Sequence, residues 1–230
     1  MSEHAGAARW LTIHDELLRG VAHALSNRVA TIDGASYMLS LDGADVAGQA
    51  ATLRGETGRL EALLHALRAL PRGTDSEPEP TMPADAVQGA LALHAHHGAL
   101  RDVPCDIDME ADVPPAYADP TALQHALLVA ITAARCMAGV RGRVTLRVRS
   151  HADVVEFCAV ARHGAAPAGD AGAPHARDDA EDAGTDDHRA IDWLLGAHGG
   201  RSVPGSSGVT FTVPTLTAAR SAQRQAAGNA

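Results

Sequence analysis

His23 stands four residues after Arg19 and four before Asn27 in the segment LLRGVAHALSNRVATI. On a helix that spacing stacks the three side chains along one face, one turn apart. The chemistry open to such a trio is nucleophilic. An imidazole near neutral pH offers a ring-nitrogen lone pair. A guanidinium one turn away can pair with anionic oxygens, and a carboxamide can hydrogen-bond an oxygen or a water. The plainer alternative is a solvated helix face with small residues by chance.

The element that would carry the trio is a long amphipathic helix. Leu11, Leu18, Leu25, Ile32 and Leu39 recur every seven residues, joined by Val21, Val29 and Met38. A helix turns about 100° per residue, so His23 lies about 160° from the Leu25 seam, on the outward face. Gly20, Ser26, Ala30 and Gly34 fall near that face. Glycine inside a helix costs about 1 kcal/mol relative to alanine, so this low-relief strip is expected to receive something at close range. A second heptad, Val46, Leu53, Leu60 and Leu67, follows the short turn LDGAD. The two form an antiparallel hairpin over residues 1–73. One hairpin cannot cover both of its apolar stripes, so a homodimeric four-helix bundle is expected. The alternative is a hairpin packed on its own C-terminal domain.

The linker PRGTDSEPEPTMP separates the hairpin from a mixed pattern over residues 80–215. A helix is expected over 84–100, a strand over 105–110, and a helix capped by Asp119. RVTLRVRS and DVVEFCAVAR alternate with period two and predict paired strands. Residues 164–187 lack periodicity and predict a loop. HRAIDWLLGAHGG predicts a helix ended by Gly199 and Gly200. SGVTFTVP predicts a last strand, and 216–230 a loose tail.

The totals exclude several classes. The net charge of −9 argues against nucleic acid. All 19 basic residues are Arg, so no lysine is available for phosphate. Cys105, Cys136 and Cys158 form no CxxC pair and predict reduced thiols of a cytoplasmic protein. No signal peptide is apparent, and no apolar run approaches the ~20 residues of a membrane span. His94, His96 and His97 cluster without an acid or cysteine to complete a metal set.

The chain resembles the histidine-kinase superfamily. LLRGVAHALSNRVATI resembles the phosphoacceptor helix, and the hairpin resembles the dimerisation and phosphotransfer domain. DVPPAYADPTALQHALLVAITAARCMAGVRGRVTLRVR resembles the first part of the ATP-binding domain, where DPxxLxQxLxNLxxNA is expected. AIDWLLGAHGGRSV and SSGVTFTVP resemble its last helix and strand. The resemblance implies an α+β protein: a hairpin forming a dimeric four-helix bundle, then an ATPase-like α/β sandwich.

Departures from the family pattern decide the implied function. The asparagine positions that hold Mg²⁺ are Val129 and Ala133, neither of which can ligate a hard cation. The aspartate that accepts from adenine is replaced by Arg162, which can only donate. Thr185, Asp186 and Asp187 stand where a GxG motif would cradle phosphates, and their carboxylates would repel them. The acid after the phosphoacceptor is Ala24, and the proline after Asn27 is Arg28. The resemblance therefore implies a degenerate ATP site and no ATP-dependent kinase. It implies a histidine phosphotransferase of a bacterial phosphorelay, moving a phosphoryl group between receiver aspartates through His23, with Asn27 and Arg19 assisting. Gly20, Ser26, Ala30 and Gly34 would receive the partner. The partners implied are a second copy, response-regulator receiver domains and a hybrid histidine kinase. Mg²⁺ would come from the receiver, and this chain would bind no cofactor or metal. The alternative is a non-catalytic pseudokinase adaptor acting by occupancy.

Overall fold

Alternation in the two central strands builds the sheet. In β4 (Arg143–His151) and β5 (Val154–Arg162), Val144, Leu146, Val148, Val155, Phe157 and Ala159 are fully buried, while the intervening residues face outward. The computed structural model describes residues 2–41, 43, 45–68, 77–139, 141–162, 178–205 and 208–228. β2 (Cys105–Met109) pairs parallel to β4, and β5 pairs antiparallel to β4. β7 (Gly208–Pro214) joins β5, and β6 (Arg201–Gly205) joins β7, giving the order β2-β4-β5-β7-β6. Phe157 stands opposite Phe211, and their rings stack at 5.1 Å. A separate antiparallel pair, β1 (Glu79–Thr81) and β3 (Ala116–Ala118), lies beside the main sheet.

Helices α3 (Pro83–His94), α4 (Pro120–Ala138) and α5 (Asp178–Leu195) pack together, with α4 and α5 against the sheet. Asp119 caps α4 as expected, its carboxylate accepting from the Thr121 and Ala122 amides at 2.8 and 3.3 Å. α4 is apolar on nearly every face because it is covered on nearly every side. By length and composition it could cross a membrane, contrary to the expectation that no apolar run comes close. Yet 78% of its most apolar window is buried inside the fold, which makes it a core helix.

Two expectations need correction here. The expected helix over 84–100 ends at His94, and turns follow it. The acidic segment 178–187 is the first half of α5 rather than a loop, and its last residue, Asp187, enters an ion pair described below. Residues 164–177 of the expected loop lie outside the described residues. The tail folds as α6 (Leu216–Gly228).

The hairpin consists of α1 (Ser2–Leu39) and α2 (Val46–Arg68). Its first helix does not stand clear of the second domain. Trp10, Ile13 and Leu17 belong to the same buried cluster as α3, α4, α5 and the sheet. Each such side chain contributes about 1.5–3 kcal/mol. The stripe that the chain buries thus runs through Trp10, Ile13, Leu17 and Val21. Leu11 and Leu18 of the heptad stay 62% and 36% exposed. The alternative of a hairpin packed on its own C-terminal domain therefore holds for the first half of α1, while Leu11 and Leu18 of the heptad stay exposed and Leu25, Ile32 and Leu39 are half-buried.

Candidate functional site

α1 holds His23 in solvent, on the face its heptad assigns to it. Asn27 Nδ2 lies 3.3 Å from His23 Nε2. An amide nitrogen only donates, so Nε2 is the acceptor and Nδ1 carries the hydrogen. The lone pair of Nε2 is therefore engaged by the Asn27 amide. Arg19 is tied one turn back to Asp15, its Nε donating at 3.2 Å. Both side chains are exposed, so this pair is weak and can exchange for another anion.

The small-residue strip divides. Gly20 faces its own chain: a Cβ there would lie 1.6 Å from the carbonyl oxygen of His96. The close approach that this glycine permits is already taken by the turn after α3. Ala30 and Gly34 are exposed, and a Cβ on Gly34 would meet nothing within 4 Å. The exposed Ser26 turns its hydroxyl back to the Ala22 carbonyl at 3.0 Å.

Because the 95–101 turn comes so near α1, His23 opens onto a cleft of about 640 Å³. Glu16, Arg19, Asn27 and Arg28 line one wall, and His96, His97 and Arg101 the other. His97 Nε2 bonds Glu16 at 2.8 Å. Its ring stacks on His94 at 5.0 Å, and His94 in turn meets Thr132 at 3.2 Å and Arg135 at 2.5 Å. Burial, then Arg135 and His97, push the His94 imidazole down to about 3. Burial and the nearby Arg28 also lower His96. The histidine cluster is thus a polar tie between α1 and α4. Among the described residues no group of three or more His, Cys, Asp or Glu could hold a metal ion.

Arg28 ties α1 to α2. It reaches Glu56 of α2 at 3.2 Å, and Arg59 closes on the same carboxylate. Glu56 is only 5% exposed, so the pair fastens the hairpin. Glu16, Arg101 and Glu56 were not among the residues singled out from sequence, and His97 was weighed only as part of a metal set. The HAHH cluster was the available signal for His97. Only the contact between α1 and the turn could reveal Glu16 and Arg101, and only the α1–α2 contact Glu56.

The expected nucleotide positions lie elsewhere, with His125 and Asp187 meeting α1 near its N-terminal end. Trp10 stacks on His125 of α4, ring centroids 4.4 Å apart. Val129 and Ala133 follow His125 at one and two turns along α4 and are buried. Arg9 Nε reaches Asp187 of α5 at 2.6 Å, with Asp187 only 4% exposed. Burial pushes the Asp187 carboxyl up, against the pull of Arg9. Asp186 bonds Arg189 on the surface at 2.9 Å. Arg162 ends β5, exposed and opposite Arg143.

No family model matches the sequence, and no curated protein matches it. Solved structures do. A histidine kinase from Burkholderia phymatum is similar at 15% identity and TM-score 0.46, over 91% of this chain and 96% of that one. The catalytic domain of the histidine kinase ThkA is similar at 14% identity and TM-score 0.45, over 61% of this chain and 98% of that one. A bacterial phosphotransferase is similar at 14% identity and TM-score 0.44, over 88% and 95%. Likeness of this degree carries no functional assignment, which rests on the site itself.

Proposed function

We propose that the protein is a histidine phosphotransferase of a phosphorelay, with His23 as phosphoacceptor. One observation carries the reading: His23 is exposed and lines a cleft shared with three arginines. In the transfer, the Nε2 pair forms an N–P bond as the P–O bond to a receiver aspartate breaks. The bond pair leaves on the aspartate carboxylate. Nδ1 keeps its hydrogen until the phosphorylated ring gives the proton to solvent. A second receiver aspartate then reverses the step. Such in-line transfer needs positioning and charge neutralisation more than covalent help. Arg19 would meet the phosphoryl oxygens, and Mg²⁺ would be supplied by the receiver.

The second domain, on this reading, does not bind nucleotide. Two features support that: Val129 and Ala133 are buried, and Asp187 is spent on Arg9. A second copy would cover the heptad seam and complete a four-helix bundle. Leu11, Leu18, Val29 and Met38 are exposed for it.

The test is phosphoryl transfer from phosphorylated receiver domains of the host. The expected product is an acid-labile, base-stable label on the chain, absent in His23→Ala. A label that survives His23→Ala, or saturable binding of Mg²⁺-ATP in calorimetry, would overturn the reading. The adaptor alternative has one observation in its favour, the clamp of Gly20 on His96 that holds the second domain still. It predicts receiver binding without any label.

A further inference from the structure

The cleft beside His23 has a wall that α1 does not supply. Residues 95–101 form it, and they are pinned from several sides. The Leu100 amide donates to His97 Nδ1 at 3.3 Å, and Arg135 Nη1 donates to the Leu100 carbonyl at 3.2 Å. His97 is held by Glu16, and the His96 carbonyl sits against Gly20. Arg101 therefore leaves a fixed backbone at the rim of the cleft.

Its charge is available. The nearest carboxylate, Asp102, lies 3.6 Å away and is 88% exposed, beyond a good hydrogen bond. The other cations are partly committed, Arg19 to Asp15 and Arg28 to Glu56. The single carboxylate lining the cleft, Glu16, is bonded to His97. Three arginines converge on the cleft, while their carboxylate partners Asp15, Glu56 and Asp102 lie outside its lining.

We propose that Arg101 binds the phosphoryl group presented to His23, so that the acceptor site is a phosphate-class anion site shared by the two domains of one chain. The ligand class is a phosphoryl dianion, carried by an acyl phosphate during transfer. Arg101 would meet it from the side opposite Arg19. This inference rests on the phosphoacceptor reading of His23 for its chemistry, but the anion site can be tested apart from transfer.

The binding arm is an NMR titration with inorganic phosphate, following the His23 ring and the Arg101 side chain, with chloride at equal ionic strength as reference. Saturable shifts at both residues are expected in the wild-type chain. Arg101→Ala should weaken binding at least tenfold, and Arg101→Lys should restore part of it. Arg101 is 57% exposed, so the melting temperature should not move. The transfer arm compares a phosphorylated receiver with acetyl phosphate as donor. Arg101→Ala should raise KM for both and leave kcat nearly unchanged. A loss confined to the receiver would make Arg101 a protein-docking residue and overturn the proposal. So would absent phosphate binding in the wild type, or binding unchanged in Arg101→Ala. Phosphate binding lost in Arg101→Ala, with no label ever reaching His23, would sink the phosphotransfer reading and leave the anion site standing.

Discussion

Gly20 of α1 lies against the carbonyl oxygen of His96, so closely that a Cβ would sit 1.6 Å from it. A backbone oxygen cannot swing aside as a side-chain tip can. Gly20→Ala should therefore destabilise the chain by about 1–3 kcal/mol of overpacking, reduced by about 1 kcal/mol of helix propensity. Gly34, on the same helix, has nothing within 4 Å. Gly34→Ala should stabilise by up to about 1 kcal/mol. Thermal melts of the two variants should move in opposite directions. Equal shifts would mean the helix and the turn are not in contact.

Arg9 and Asp187 form a second tie, and Asp187 is the buried partner. Removing Arg9 leaves a carboxylate in an apolar setting, at a cost of about 3 kcal/mol. In Arg9→Ala the loss should be large, and Asp187→Asn added to it should recover part. A double-mutant cycle in urea would measure the coupling, and additive losses would show that the pair contributes nothing.

His94 sets an acid limit on stability. Its folded value of about 3 lies below the ordinary 6.5 that it regains on unfolding. Its contribution is full above pH 6.5 and is lost as pH falls toward 3, because the unfolded chain then binds the extra proton. The slope is about 1.4 kcal/mol per pH unit. Urea unfolding at several pH values between 7 and 4 should show it. His94→Gln should flatten the slope, and an unchanged slope would place the acid sensitivity elsewhere.

Leu11 and Leu18 are exposed along one stripe of α1. If a second copy covers them, Leu11→Asp with Leu18→Asp should weaken self-association roughly 100-fold or more, about 2.7 kcal/mol. Light scattering across a dilution series reads this directly. A wild-type chain that stays monomeric at high concentration would rule out the bundle.

Asn27 holds the lone-pair nitrogen of His23. That bond must break before the N–P bond forms; if the freed amide then donates to a phosphoryl oxygen, losing a bond of about 1 kcal/mol in Asn27→Ala should slow phosphoryl transfer about fivefold. His23→Ala should abolish it. Rapid-quench transfer assays separate the two, and a label lost equally in both would make Asn27 indispensable rather than supportive.

Much of the fold was legible because its signals are local. The alternation in RVTLRVRS and DVVEFCAVAR depends only on one face of a strand being buried, and both strands form. Asp119 before Pro120 marks a helix start by its own chemistry, and α4 begins there. The edge strand β6 was missed because Arg201–Gly205 carries a proline and two glycine neighbours that read as a turn. The helical start of α5 was missed because its acidic run has no apolar period. Asp187 is stabilised there by Arg9, 178 residues away in the chain.

The amino-acid sequence by itself determined that α1 is a long two-striped helix with His23, Asn27 and Arg19 on one face, since helical spacing alone sets that. Only the tertiary structure decided which stripe the chain would bury. Trp10, Ile13, Leu17 and Val21 enter the core and Leu11 and Leu18 do not, because the rings and carboxylates that meet α1 come from α4 and α5. The same contact draws the 95–101 turn up to Gly20 and brings Arg101 to the His23 cleft. Helical periodicity encodes neither, because both depend on the shape of a surface assembled from distant segments.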